Sequence, residues 1–257
     1  MGEYIPPIQD MRFTLEEVID VYSLAEIPAF SAVGLDSLPD LLEEAGRFFT
    51  QVISPTNRTG DLQGSSLNDD GSVTTPDGFK QAYAQYVEAG WGAISFDPEY
   101  GGGGFPWLVG IAITEMLTAA NMAMSLNPML TQGSIHALHA HGDSDLKLKW
   151  LPKLITGEWA GTMNLTEPQA GSDVGALTAK AEIQEDGTYL ITGQKIYITW
   201  GEHDLTENII HLVLARTPGA PPGTRGISLF IVPKFLTEDD GATGDHNDVK
   251  CISIEHK

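Results

Sequence analysis

The sequence predicts an α+β protein with an all-helical domain over residues 1–158 and an antiparallel, β-barrel-like domain over residues 159–257. Before about Gly157, apolar residues recur every three or four positions, and after it they alternate with a period of two. The chain has 257 residues, of which 42% are hydrophobic, so it can form two domains that each bury a core. These observations favour a helical domain followed by a sheet domain.

The first half contains the start and stop signals of several helices. Thr14 and Glu17 form a capping box, which predicts a short helix that starts at Thr14. Apolar spacing predicts a second helix over residues 38–53, which Pro55 ends, followed by a polar surface loop over residues 56–76. Further helices are predicted over residues 77–89, 107–124, 132–141 and 144–155.

The second half has the pattern of short strands separated by turns. Asp186-Gly187 lies between two alternating runs, which is a strong signal for a hairpin. Strands are predicted over residues 178–183, 189–191, 195–199, 209–216, 226–232 and 251–254. Because the last of these reaches the end of the chain with no closing element, we expect a domain that is cut short.

Charge and cysteine content exclude several classes of protein. The chain has 14 Lys and Arg against 35 Asp and Glu, a formal net charge of −21, and such a surface repels nucleic-acid backbones and anionic lipid. A single cysteine, Cys251, allows no internal disulfide. No apolar run approaches the about 20 residues that span a bilayer, and the N-terminus has no signal-peptide pattern. We therefore expect a cytoplasmic protein without nucleic-acid partners.

Three histidines that lie close together in the sequence are candidates for metal binding. His136 and His139 share one face of the predicted helix, whereas His141 does not fully join them. No carboxylate or cysteine stands at ligand spacing. We therefore predict no metal site and expect these side chains to pack or to line a pocket.

The densest run of polar chemistry is residues 163–175, which leaves a predicted strand and enters a loop rich in Gly, Ser and Thr. Hydroxyl and backbone N–H groups in such a loop can hold an anion without a cation, which suits a very acidic protein. The pattern alone favours an ordinary connecting loop, because Gly-Ser-Asp loops are common.

Four motifs resemble the acyl-CoA dehydrogenase family and occur in the family's order. They are Pro-Glu-Tyr-Gly-Gly-Gly-Gly at 98–104, a Gly, Lys and Trp-Leu-Pro stretch within 141–158, Thr-Glu-Pro-Gln-Ala-Gly-Ser-Asp at 166–173, and Gly-Gln-Lys-Ile-Tyr-Ile-Thr at 193–199. The resemblance covers most of the chain from about residue 75 onward. Residues 5–13, 208–215 and 231–236 resemble in particular those bacterial members that have an extended N-terminus, the 3-methylmercaptopropionyl-CoA dehydrogenase-like and related long-chain enzymes.

This resemblance implies an FAD site. The residues that it places there are Met163, Leu165, Thr166, Gly171, Ser172, Tyr197 and Thr199. It implies that Thr166 contacts the flavin ring, Ser172 the pyrophosphate and Thr199 the ring near N5, while Tyr197 packs on the isoalloxazine. Many members carry an aromatic residue in place of Met163 and Trp in place of Tyr197, differences that change flavin packing and leave the hydrogen bonds in place.

The resemblance also implies a reaction, the α,β-dehydrogenation of an acyl-CoA thioester with electrons passed to an electron-transfer flavoprotein. The family's base is a Glu in a C-terminal helical bundle, which we expect to be absent from this chain, so the chain alone is expected to be inactive. Glu167 does not match that base. The family also implies a homodimer or homotetramer at full length. Two alternatives stay open, an acyl-CoA oxidase that uses oxygen and a non-catalytic member that binds DNA.

Overall fold

The computed structural model describes residues 4–238 and 241–255, and it confirms the predicted fold class. Helices extend from Ile8 to Thr156, and a sheet begins at Trp159. Within the described ranges, none of the helices has the length and apolar character needed to cross a membrane.

The helices are α1 (Ile8–Phe13), α2 (Leu38–Phe48), α3 (Ser54–Gln63), α4 (Phe79–Glu88), α5 (Trp107–Ala120), α6 (Met122–His141) and α7 (Ser144–Thr156). The expected break before Gln132 is absent, since α6 continues through Pro128. Asn121 separates α5 from α6, because its extended backbone ends one helix and its side chain caps the next by accepting from Met124 N over 3.0 Å.

Three further predictions in the helical half are wrong, and one of them is the loop over residues 56–76, since residues 56–63 lie in α3. The first helix begins at Ile8, and Thr14 lies in a π-helical turn where its hydroxyl donates to Asp10 O over 2.8 Å, so Thr14 is not an N-cap. Pro55 does not end the second helix, because a π-helical turn precedes α3 and places Pro55 in the first turn of α3, where its missing N–H has no consequence.

The strands are β1 (Ser66–Leu67), β2 (Val73–Thr74), β3 (Trp159–Asn164), β4 (Lys180–Ile183), β5 (Tyr189–Thr192), β6 (Asn208–Arg216), β7 (Ile227–Pro233), β8 (Phe235–Thr237) and β9 (Thr243–His246). The central sheet has the order β3-β6-β4-β5, with β7 also paired to β6. The β4–β5 hairpin and the β6–β7 pair are antiparallel as expected, but β3 runs parallel to β6. The long connection between β3 and β6 allows this parallel pairing, which makes the sheet mixed.

Two predicted strands are not present among the described residues. Tyr197, in the predicted 195–199 strand, has a φ of 58°, which is left-handed and cannot continue a pleated strand. In the predicted 251–254 strand, Cys251 Sγ makes a local contact of 3.5 Å with Ser253 O, and residues 251–255 pair with no neighbour.

Helix α6 packs directly on β3, and this contact places the end of β3. Trp159 of β3 is fully buried and lies beside Trp150 of α7, with ring centroids 5.8 Å apart. Gly161 gives β3 its close approach to α6, because a Cβ there would lie 2.5 Å from Ser134 Oγ. The Gly161 N–H also donates to Thr131 Oγ1 over 2.9 Å. The chain that leaves β3 therefore starts from a fixed point.

Candidate functional site

Two loops of the β half meet beyond the end of β3. The first loop, residues 165–173, follows β3, and the second loop, residues 194–200, follows β5. The Ile196 N–H donates to the Thr166 carbonyl over 2.9 Å, so the two loops are joined at the backbone. This bond brings Thr166 of the first loop close to the segment that carries Tyr197 and Thr199.

A buried ion pair also joins the loops. Lys195 Nζ lies 2.8 Å from Glu167 Oε1 and donates to Leu165 O over 3.2 Å. The side chains of Lys195 and Glu167 are 9% and 1% exposed, so solvent screens this pair very little. Sequence reasoning did not identify Lys195, although a lysine directly before the apolar run Ile196-Tyr197-Ile198 was a signal that a buried partner exists.

Every acceptor site of Glu167 is used inside the protein. Its carboxylate accepts from Thr178 N over 2.6 Å, Thr178 Oγ1 over 2.9 Å, Ala179 N over 3.0 Å and Gln169 Nε2 over 2.6 Å, in addition to Lys195. Burial raises the pKa of Glu167, but the hydrogen bonds from Lys195, Thr178 and Ala179 outweigh burial and lower the pKa to about 2. Glu167 is therefore a fixed anion with a structural role and is unsuited to accept a proton, in agreement with the sequence analysis.

The first loop turns tightly after Glu167. The N–H groups of Glu167 and Ala170 each donate to the other residue's carbonyl over 3.0 Å. Ala170 is buried, whereas Gly171 and Ser172 are exposed just beyond the turn. Among the described residues, the N–H groups of Gly171, Ser172 and Asp173 have no hydrogen-bond partner. Successive free N–H groups of this kind are suited to an anion.

The second loop has an unusual backbone. Tyr197 and Trp200 have φ angles of 58° and 55°, in the left-handed region that non-glycine residues rarely adopt. Trp200 is anchored, because its indole N–H donates to Ala123 O over 2.9 Å and its ring stacks on Phe79 at 6.3 Å. Tyr197 is 71% exposed and carries a large aromatic face outward. Strain held at a fixed anchor is a reason to assign the loop a function.

The aliphatic hydroxyls of three predicted site residues have no partner. Within the part of the chain that the structure describes, the side chains of Thr166, Ser172 and Thr199 make no hydrogen bond. Met163 and Leu165 are half-buried apolar side chains beside Thr166 in the sequence. The structure joins Thr166 to the loop of Tyr197 and Thr199, whereas it records no contact between Gly171 or Ser172 and that loop.

A buried polar group that sequence reasoning missed lies in the same strands. Thr162 Oγ1 lies 2.7 Å from His211 Nδ1 and 2.8 Å from Asn164 Oδ1. Burial, followed by the charge of Lys234, lowers the pKa of His211 to about 4, so the ring is neutral at pH 7. The sequence signal for this buried group was His211, a polar residue at the centre of the apolar run that forms β6. This group fixes the β3–β6 pairing from which the first loop leaves.

The histidines of α6 lie apart from the two loops. His139 Nε2 is 3.3 Å from Asp97 Oδ2, and His136 packs against Trp107 and Phe96 with ring centroids 4.9 Å and 5.3 Å away. Over residues 4–238 and 241–255, no three His, Cys, Asp or Glu side chains form a group that could hold a metal ion. His136 therefore packs as expected, whereas the contact of His139 with Asp97 was not predicted.

Comparison with known proteins identifies the family. Residues 40–158 match the N-terminal domain of acyl-CoA dehydrogenases, and residues 162–249 match the middle domain. The chain belongs to the acyl-CoA dehydrogenase family. Both matched regions fall where the helical half and the sheet half lie, so the two loops belong to the middle domain of this family.

Individual acyl-CoA dehydrogenases resemble most of the chain. It is 48% identical to a 3-methylmercaptopropionyl-CoA dehydrogenase of Ruegeria pomeroyi over 99% of this chain and 43% of that protein. It is 40% identical to a butyryl-CoA dehydrogenase of Syntrophomonas wolfei over 99% of this chain and 42% of that protein. The solved butyryl-CoA dehydrogenase of Megasphaera elsdenii is 25% identical, with a TM-score of 0.62 over 77% of this chain and 48% of that one. The chain thus spans less than half the length of these relatives.

Proposed function

We propose that this chain supplies the helical and flavin-contacting domains of an FAD-dependent acyl-CoA dehydrogenase, divided at residues 158 and 159. The reaction is α,β-dehydrogenation of an acyl-CoA thioester to the trans-2-enoyl-CoA, with electrons passed to an electron-transfer flavoprotein. Family membership supports the reaction class. The relatives in Ruegeria pomeroyi and Syntrophomonas wolfei are named for short acyl groups, so 3-methylmercaptopropionyl-CoA and butyryl-CoA are the first substrates to test.

The observation that carries the proposal is the set of free donors on the two joined loops. FAD presents a polar ring edge and a pyrophosphate, and both need hydrogen-bond donors. The hydroxyls of Thr166 and Thr199 are free for the ring, and the Ser172 hydroxyl with the N–H groups of Gly171 and Asp173 is free for the phosphates. The residues present therefore fit the cofactor, and they do so without placing a cation beside the phosphates.

Each residue then has a defined task toward the cofactor. Thr166 and Thr199 would hold the ring of bound FAD, which would supply the acceptor for the hydride from the substrate β-carbon. Thr166 and Thr199 orient the ring by donating hydrogen bonds at its polar edge, where negative charge develops on reduction. The exposed ring of Tyr197 packs on the isoalloxazine, and the half-buried Met163 and Leu165 line the same site and exclude water.

The α-proton needs a base that the two loops do not supply. Glu167 is held in its ion pair with a pKa of about 2, so it is too weak a base and cannot reach outward. We propose that the base is the Glu of the family's C-terminal helical bundle. We also propose a full-length homodimer or homotetramer, in which a second subunit contacts the adenine half of the cofactor.

Substituting the two threonines tests the proposal. We expect Thr166→Val and Thr199→Val in the full-length protein to slow flavin reduction by about 10- to 100-fold, because each loses a hydrogen bond to a developing charge worth about 1.5–3 kcal/mol. The measurement is anaerobic single-turnover reduction by saturating butyryl-CoA or 3-methylmercaptopropionyl-CoA. Ser172→Ala is expected to weaken FAD retention more than it slows reduction.

A matched substitution controls for the loss of a threonine hydroxyl elsewhere. Thr192 is exposed at the end of β5 and its hydroxyl is also unpartnered among the described residues, so Thr192→Val should reduce at the wild-type rate. Wild-type rates in both Thr166→Val and Thr199→Val would show that the flavin does not lie on these loops. Reoxidation of the reduced protein by oxygen at the turnover rate would assign the electrons to oxygen instead of the flavoprotein partner.

A further inference from the structure

The ion pair between Glu167 and Lys195 lies between the residues that present the free donors. Glu167 directly follows Thr166, and Lys195 directly precedes Ile196, whose N–H bonds to Thr166 O over 2.9 Å. We propose that Glu167 and Lys195 are positioning residues that clamp the second loop onto the first and thereby set the distance between Thr166 and Thr199. This inference rests on the proposed function, because it assigns the clamp to the flavin site.

The second loop needs such a clamp because little else holds its middle. Between the Ile196–Thr166 bond and the Trp200 anchor, the only backbone hydrogen bond that the described residues show is from Gly201 N to Ile198 O, at 3.1 Å. Tyr197 stands in this interval with a left-handed backbone, a conformation that a free loop leaves readily. Thr199 lies two residues further on, so a loop that relaxes at Tyr197 moves the Thr199 hydroxyl.

The geometry of the pair is that of a fixed clamp. Lys195 Nζ bonds both Leu165 O and Glu167 Oε1, so it contacts the first loop at two points. Glu167 is in turn held by Thr178 N, Thr178 Oγ1 and Ala179 N, in the two residues directly before β4, which belong to neither loop. The position of Lys195 is therefore fixed through Glu167 by backbone groups next to β4. An exposed ion pair lacks such additional hydrogen bonds and fixes its side chains less well.

FAD affinity and loop exchange in the full-length protein test the clamp. We expect Glu167→Gln and Lys195→Met to weaken FAD binding by about 10- to 100-fold in titrations of the apo-protein followed by flavin fluorescence. Hydrogen exchange of peptides over residues 194–200 should speed up in the apo-protein, and the visible circular dichroism of bound flavin should change. Lys195→Arg keeps the charge and should recover most of the affinity.

Two further variants keep the test decisive. The double variant Glu167→Gln, Lys195→Met leaves no unpaired buried charge, so it should fold, and the clamp requires it to bind FAD about 10-fold more weakly than the wild type. Lys153→Met is the matched control, since Lys153 also uses its ammonium group inside the protein, donating to Gly241 O over 3.0 Å, but contacts neither loop. It should leave FAD affinity and the flavin spectrum unchanged.

The outcomes separate the clamp from the proposed function. Failure of the full-length wild type to bind FAD would overturn the proposed function. Wild-type FAD affinity and flavin circular dichroism in the double variant would overturn the clamp and leave the proposed function intact. An equal loss of FAD affinity in Lys153→Met would also overturn the clamp, because the loss would then come from lower stability of the whole protein.

Discussion

Replacing Gly161 with alanine tests the contact that places the first loop. A Cβ atom at this position would lie 2.5 Å from Ser134 Oγ, 2.6 Å from Ser134 Cβ and 3.3 Å from Thr131 Cα. Carbon atoms in contact are normally about 3.5–4.0 Å apart, so β3 and α6 have to separate by about 1 Å. Ser134 does not rotate away without cost, because its hydroxyl donates to Leu130 O over 3.1 Å.

The cost of Gly161→Ala follows from two losses. Overpacking a well-packed interior costs about 1–3 kcal/mol. The Gly161 N–H donates to Thr131 Oγ1 over 2.9 Å, and loss of this buried bond as the strand moves costs about 1 kcal/mol. We therefore expect β3 to lose about 2–4 kcal/mol of local stability, or about 30- to 700-fold in its opening equilibrium.

Hydrogen exchange with mass spectrometry measures this opening directly in the full-length protein. Peptides that cover β3 should exchange about 30- to 700-fold faster in Gly161→Ala, because amide exchange from a core strand reports the free energy of its opening. Peptides over α2 should exchange as in the wild type, because the buried residues of α2 lie in a different hydrophobic cluster from Trp159 of β3. Adding Ser134→Gly removes both close atoms and should restore part of the protection.

The control lies on the same helix. Gly133 of α6 has open space within 4 Å of a Cβ, so Gly133→Ala meets no atom and gains about 0.5–1 kcal/mol of helix propensity. The amide hydrogens of β3 should therefore exchange at the wild-type rate or more slowly in Gly133→Ala. Unchanged β3 exchange in Gly161→Ala would refute the close packing of β3 on α6, and with it the fixed starting point of the first loop.

Three further predictions concern the loops. The folded-state pKa of Glu167 is about 2, below its ordinary value of 4.5. Its carboxylate therefore contributes about 3 kcal/mol to folding stability above pH 4.5, and this contribution is lost as the pH falls toward 2. The difference in urea midpoint between the wild type and Glu167→Gln should disappear over the same pH range. Tyr197→Gly should unfold at higher urea than Tyr197→Ala by the equivalent of about 1 kcal/mol, because glycine tolerates the φ of 58°. Trp200→Phe keeps the stacking on Phe79 but loses the bond to Ala123 O, so exchange of peptides over residues 194–200 should rise about 5-fold, the equivalent of about 1 kcal/mol.

The sequence predicted the elements that local periodicity determines. The helix α4, the hairpin of β4 and β5 and the long strands β6 and β7 lie within a few residues of their predicted positions. Pro55 was misassigned because a proline in the first turn of a new helix has the same sequence context as one that ends a helix. The parallel pairing of β3 with β6 depends on contacts between distant segments, which periodicity does not report.

The second loop shows where pattern and tertiary structure conflict. Residues 195–199 alternate in polarity as a strand does, yet Lys195 points inward to Glu167 and Tyr197 takes a left-handed backbone. The buried pair, in which Lys195 bonds Glu167 and Leu165 O and Glu167 also accepts from Thr178 and Ala179, overrides the weak strand preference of five residues. The family resemblance located the predicted site residues, but only the structure shows Lys195 between them.

The electrostatics of the loops bear on how an acidic protein can hold an anionic cofactor. Over the described residues 4–238 and 241–255, two cationic side chains form hydrogen bonds with residues 163–175, and both are already occupied: Lys195 by Glu167, and Arg216 by the carbonyls of Pro221, Gly175 and Gly223. With a net charge of −21, neither supplies a free positive field for a phosphate. On the proposed function, these loops hold the cofactor through neutral donors, whose hydrogen bonds act only at short range and in a fixed geometry. The proposal then requires the loops to be positioned accurately, which is the role it gives to the Glu167–Lys195 pair and to the close packing of Gly161 on α6.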